Sequence, residues 1–241
     1  MDRALYAAAT GMAAQQLNLD VLANDLANAD VAGFKGSAAS FTELAAPGEV
    51  GLGTVALGEH VVLAQGRLSK ATGSFDMAID GPGFFAVTGN RGERAYTRDG
   101  EFSRGADGRL RNALGYALDG VRIPNDAISA AVAQDGTVSV TTARGNAVAG
   151  RVTLAQFPAP EHLRSLGGTL FEATRASGTP RLLAPGGRGP RVRFGMLEES
   201  NVSIIEAMMS MLAAQRAYEA DAKGVQAADE MLRIANNLQR G

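Results

Sequence analysis

The sequence predicts an α+β protein, with long helices at the two chain ends forming a coiled-coil layer and an antiparallel β-rich domain between them. Three observations predict it. All eight prolines lie between Pro47 and Pro190, and of the 30 glycines only Gly11 precedes Gly33 and only Gly224 and Gly241 follow Met196. These two residue types most disfavour helix interiors. Both glycine-poor ends carry apolar residues at alternating three- and four-residue steps, and five Asp-Gly steps punctuate the middle.

The first helix is expected over residues 2–29. Leu5, Ala8, Met12, Leu19, Leu22 and Leu26 form an a/d stripe with Gln15 at its one polar position. A lone helix cannot bury such a stripe. The second helix opens at Ser203-Ile204-Ile205-Glu206, which has the form of a capping box. It runs without proline to about residue 239, a length of roughly 50–55 Å at the α-helical rise. Ile204, Ala207, Met211, Ala214, Tyr218, Val225, Ala228, Leu232 and Ala235 keep the same spacing, interrupted by Asp221. Met208, Leu212, Met231, Ile234 and Leu238 widen the apolar face beyond a two-helix seam, so more than one neighbour is expected. The expected assembly interface is Leu5, Met12, Leu19, Leu22 and Leu26 with Ile204, Met208, Met211, Leu212, Tyr218, Val225 and Leu232. The competing reading makes both stripes the core of one soluble bundle. Glu198-Glu199, just ahead of the capping box, reads as a complement to the helix dipole.

Asp80-Gly81, Asp99-Gly100, Asp107-Gly108, Asp119-Gly120 and Asp135-Gly136 suit tight turns. Short strands are expected between them and beyond, at 84–87, 137–140, 152–157 and 192–194, giving an antiparallel sandwich or barrel-like domain. Residues 36–75 carry weaker signals and read as a loop-rich connector with some strand. The expected division is therefore helix 1–35, connector 36–75, β-rich domain 76–195 and helix 196–241.

Composition narrows the function. The chain has no cysteine and only two histidines, His60 and His162, neither in a metal-binding helical spacing. Basic and acidic residues nearly balance at 23 and 25, and both helical ends are net acidic, which disfavours nucleic acid. No apolar run approaches a membrane span, and no cleavable signal is read at the start. Gly81-Pro82-Gly83-Phe84-Phe85-Ala86 matches a dinucleotide fingerprint in letters, but a strand is expected after the glycines where the chemistry needs a helix. Gly186-Gly187-Arg188-Gly189 reads as a loop. No catalytic, cofactor or metal residues are assigned. The competing class is a hydrolase on the β domain, which would need His60 or His162 to meet a serine and a carboxylate in a pocket.

Ala23-Asn24-Asp25-Leu26-Ala27-Asn28 followed by Gly33-Phe34-Lys35 resembles the N-terminal signature of the bacterial flagellar rod and hook axial family. Gly195-Met196-Leu197-Glu198, Ser200-Asn201-Val202 and Gln215-Arg216-Ala217-Tyr218-Glu219 are similar to its C-terminal half. Asp80-Gly81, Gly83-Phe84-Phe85 and residues 95–100 resemble its rod members. Within the family the detail is most similar to distal rod members. The short stretch between Phe41 and Gly51 keeps the proximal rod position as the alternative. The resemblance implies a structural, non-enzymatic subunit that polymerises with itself into a hollow helical shaft, terminal helices inside and β domain outside. It also implies other rod and hook axial proteins as partners, surrounding rings as further candidates, and export to the basal body by the flagellar type III apparatus. The signature residues it singles out are Asn24, Leu26, Asn28, Gly33, Phe34, Lys35, Ser200, Asn201, Val202, Gln215, Arg216, Tyr218 and Glu219.

Overall fold

The computed structural model describes residues 2–44, 53–187 and 189–238. Residues 45–52 of the expected connector, Arg188, and the side chains of Leu232, Ala235 and Leu238 lie outside the described residues. The chain is α+β and divides into two compact units: Met1–Ala27, Ser37–His60 and Ser203–Gly241 in the first, Asn28–Gly36 and Val61–Val202 in the second.

In the first unit, helices α1 (Asp2–Ala27) and α2 (Ile204–Leu238) pack on each other, and the two-stranded pair β1 (Ser37–Glu43) and β2 (Thr54–Val61) joins them, with β1 against α1. The residues buried in the helices are mostly small: Ala14 and Val21 on α1, and Ala207, Ala214 and Ala228 on α2. At Gly11 even a methyl group would come within 2.8 Å of Asp221 Oδ2. The helices thus approach where side chains are smallest. On α1 this line runs beside the predicted leucine and methionine stripe, whose Leu5, Met12, Leu19, Leu22 and Leu26 are only half-buried. On α2 it coincides with Ala207, Ala214 and Ala228 of the predicted series. Ser203 starts α2 as expected, its carbonyl accepting from Ala207 N at 2.8 Å and its hydroxyl from Glu206 N at 3.4 Å.

The second unit holds strands β3 (Leu68–Lys70), β4 (Met77–Asp80), β5 (Phe84–Thr88), β6 (Arg94–Thr97), β7 (Ser103–Arg104), β8 (Arg109–Arg111), β9 (Ala117–Arg122), β10 (Ala127–Val132), β11 (Thr137–Thr142) and β12 (Gly145–Arg151). After them come β13 (Leu154–Gln156), β14 (Arg164–Gly167), β15 (Leu170–Glu172), β16 (Arg181–Leu183), β17 (Arg191–Phe194) and β18 (Met196–Glu198). The main sheet runs β10-β11-β12-β9-β5-β6-β15-β14, and every pairing in it is antiparallel. Two short pairs, β17 with β4 and β18 with β3, flank it.

Apolar alternation explains the two cores. Met77, Ile79, Phe85, Val87, Leu110, Val138, Val140 and Val152 close the larger one, and Phe84, Tyr96, Phe157 and Phe171 the smaller one, through edge-to-face ring contacts.

One predicted turn is corrected. Asp119-Gly120 does not connect strands but lies inside β9, where Gly120 takes φ +82°. Arg109 pairs with Arg122 but Arg111 with Ala117, so β9 bulges over extra residues. The letters that favour a turn also favour a bulge, because both need positive φ. Gly83 leads directly into β5, as the sequence predicts, with no helix to receive a pyrophosphate.

Candidate functional site: the signature segments

Signature residues that are far apart in sequence meet in the second unit around one buried carboxylate. Glu198 is 1% exposed. Its Oε1 accepts from Lys35 Nζ at 2.5 Å and from Gly66 N at 2.9 Å. Arg98 Nε stands 3.2 Å from Oε2, an ion pair without hydrogen-bond alignment. Lys35 Nζ also donates to the Ala64 carbonyl at 2.9 Å, and Arg98 Nη1 donates to the Gly81 and Gly83 carbonyls at 2.9 Å each. The Arg98 guanidinium lies 6.0 Å from the centre of the Phe84 ring.

Burial lowers the pKa of both Lys35 and Arg98, and the Glu198 charge opposes that fall in each. Two cations thus share one anion out of water, an arrangement that holds only while the anion is present. The sequence reading of Glu198 as a helix-dipole partner is corrected: it belongs to β18 and is neutralised by Lys35 and Arg98, whereas its exposed neighbour Glu199 pairs with Arg67.

Backbone contacts draw the same segments together. Gly33 N donates to the Glu198 carbonyl at 2.7 Å. Asn201 works at both ends of its amide: Oδ1 accepts from Gly36 N at 2.8 Å, and Nδ2 donates to the Val62 and Ala64 carbonyls at 2.7 and 3.2 Å. Gly33 has φ +68°, and a Cβ there would sit 2.3 Å from Asp99 N, so conformation and space both demand glycine. Phe34 is buried beside it. Ser200 Oγ accepts from Val202 N, and Val202 is half-buried. Asn24 and Leu26 lie on α1, and Asn28 just after it. Gln215, Arg216, Tyr218 and Glu219 are exposed on α2. The structure therefore gathers Gly33, Phe34, Lys35 and Asn201 into one knot and places Asn24, Leu26, Gln215, Arg216, Tyr218 and Glu219 on the helices.

Asp99 adjoins this knot. Burial raises its carboxyl to about 6 against the hydrogen bond from Glu101 N, with Glu101 and Asp76 adding to the rise. A raised acid binds its proton more tightly folded than unfolded, so its contribution to stability is full below about pH 4 and lost as pH rises through 6. The shift is equivalent to about 2–3 kcal/mol. Asp99→Asn keeps an oxygen for Glu101 N without the charge. It is expected to raise the melting temperature at pH 7.5 and to flatten the melting profile between pH 4 and 6.5. A variant that melts like the parent at every pH would contradict this account.

The residues expected to face neighbours lie in the first unit. On α2, Ile204, Met208, Leu212 and Tyr218 are exposed, and Met211 and Val225 are half-buried. Ile205 and Met209, which the sequence reading passed over, are exposed by 72% and 66%. Their i, i+4 spacing carried the signal, but they fall outside the a/d frame. His60 on β2 shares a 3.1 Å hydrogen bond with Ser40 on β1. The pair is largely exposed, and among the described residues no carboxylate bonds to either histidine ring. No helix among them is long and apolar enough to cross a membrane.

Comparison with known proteins matches these segments. Residues 5–35 match the family described as flagella basal body rod protein. Residues 78–140 match the flagellar hook protein FlgE/F/G D1 domain, and residues 194–238 the flagellar basal body rod FlgEFG protein C-terminal family. The flagellar basal-body rod protein FlgG of Borreliella burgdorferi is 38% identical, with all of both chains covered. FlgG of Agrobacterium fabrum is 35% identical over 97% of this chain and 98% of its own. The flagellar basal-body rod protein FlgF of Caulobacter vibrioides is 32% identical over 98% and 97%. With whole-chain similarity joined to the signature knot, the chain belongs to the flagellar basal-body rod protein family.

Proposed function

We infer that this chain is a structural axial subunit of the flagellar rod, at the distal position, polymerising helically into a hollow shaft that transmits torque. The carrying observation is the exposed apolar surface of α2, where Ile205, Met208, Met209 and Leu212 face outward although Ala207 and Ala214 on the same helix are already buried. A patch of this kind on a long helix calls for a partner. Copies joined through non-self-complementary surfaces extend as filaments. Greater identity to the two FlgG relatives named above than to the FlgF relative supports the distal over the proximal position. In this reading the segments 1–35 and 196–241 form the inner layer and 76–195 the outer one, with 36–75 connecting them. Other rod and hook axial proteins continue the shaft, and rings surround it. The subunit reaches the periplasm-spanning rod through the flagellum's own export route and works without catalysing a reaction.

Burying one such side chain is worth roughly 1.5–3 kcal/mol. Met209→Asp or Leu212→Asp is expected to raise the concentration needed for assembly at least tenfold while leaving the circular dichroism spectrum unchanged. Sedimentation and electron microscopy of the full chain read both. Wild-type chains that remain monomeric at high concentration, or variants that form normal tubes, would overturn the reading.

A further inference from the structure

Strand β5 changes partner midway. On one edge Phe84 and Phe85 pair with β13, while Val87 and Thr88 pair with β9. The two partners part at Ala86, and the bulge at Asp119-Gly120 widens the gap. A cleft of about 510 Å³ results, with Arg94, Tyr96, Arg109, Asp119 and Leu182 among its lining residues. Three features set it apart as unfilled. The Arg94 and Arg109 side chains, both exposed, make no ion pair or hydrogen bond among the described residues. Tyr96 is only 5% exposed, and its hydroxyl, which makes no hydrogen bond among them, reaches the surface of the cleft. Leu182 is apolar and 57% exposed. Asp119 is partly engaged by the Thr88 hydroxyl at 2.7 Å, so two arginines outweigh one carboxylate.

The same chain carries the complement. Asp126, exposed in the turn before β10, has no ion-pair or hydrogen-bond partner for its side chain among the described residues. Two positions on, Ile128 is 73% exposed at a register shift between Ala127 and Ser129. A bulge re-aims a side chain and also prevents an edge strand from simply extending into another sheet. Contact here must therefore be made through side chains. β10 lies four strands from β5 in the sheet order, roughly 19 Å along the sheet, and among the described residues no ion pair or hydrogen bond joins Asp126 to Arg94 or Arg109 of its own chain.

We propose that the β5 cleft of one copy receives the Asp126–Ile128 corner of another, Asp126 meeting Arg94 and Arg109 and Ile128 covering Leu182. The contact rests on the axial-subunit reading and adds a lateral, heterologous interface between β bodies to that made by the helices. In the cleft the Tyr96 hydroxyl is placed to donate to the incoming carboxylate.

The test follows assembly of the full-length chain by sedimentation at several salt concentrations, with circular dichroism to check folding. Arg94→Glu/Arg109→Glu and, separately, Asp126→Arg are each expected to raise the concentration at half-assembly at least tenfold. A chain carrying all three changes restores the charge match and is expected to return to within about threefold of wild type. Rescue by the triple variant rules out misfolding as the cause of loss in the others. Wild-type assembly with unchanged assembly of the charge variants, or with loss that the triple variant fails to rescue, overturns this contact and leaves the axial reading standing. A wild-type chain that never assembles sinks both.

Discussion

Replacing Glu198 by Gln should destabilise the β body by about 3–5 kcal/mol, the usual cost of stranding a buried charge. Shape is nearly preserved, and Gln can still accept from Gly66 N. What disappears is the anion that Lys35 and Arg98 share. Their burial already works against their charged forms, and among the described residues Glu198 alone opposes it. A melting temperature lower by roughly 10 °C is expected. Lys35→Met is the informative contrast. It removes one of two cations and leaves Arg98 paired with Glu198, so its loss should be clearly smaller. Equal losses from the two variants, or a Gln variant that melts like the parent, would mean that the cluster is held by packing and not by charge balance.

The knot also shows where sequence reasoning stopped. Helix α2 was legible because its start depends on neighbours in sequence: Ser203 and Glu206 lie three residues apart, and no proline follows. The strands were legible where apolar residues crowd between turns, as at Phe84 to Val87. Lys35 and Glu198 are 163 residues apart, and nothing in the local pattern of either tells which opposite charge will meet it. The resemblance singled out Lys35 and placed Glu198 in a matched segment without saying that they touch. Arg98 stood unnoticed inside a matched run because an arginine before Asp-Gly looks like an ordinary turn flank.

The helix seam was half legible for a related reason. Period locates an apolar stripe, but closest approach is decided by side-chain size. Gly11, Ala14 and Ala207 therefore hold the seam, while larger residues beside them remain partly or wholly exposed. The residues left uncovered include those proposed above to meet neighbouring subunits.

Gly100→Ala is expected to be as damaging as loss of Glu198, by at least about 3 kcal/mol, although it adds a single methyl group. Asp99-Gly100 has the letters of a tight turn, yet positive φ is not what Gly100 supplies. A Cβ there would lie 1.5 Å from the Met77 carbonyl oxygen, on a strand whose residue is fully buried. Met77 N donates to the Gly100 carbonyl at 3.1 Å, so the two backbones are already in register and cannot part without opening the larger core. Gly115 provides the control. It has φ +83° but nothing within 4 Å of its would-be Cβ, so Gly115→Ala carries backbone strain alone, about 1–2 kcal/mol. Chemical denaturation of the two variants side by side separates contact from conformation. If both lose stability by the same amount, the close approach at Met77 is not what keeps position 100 a glycine.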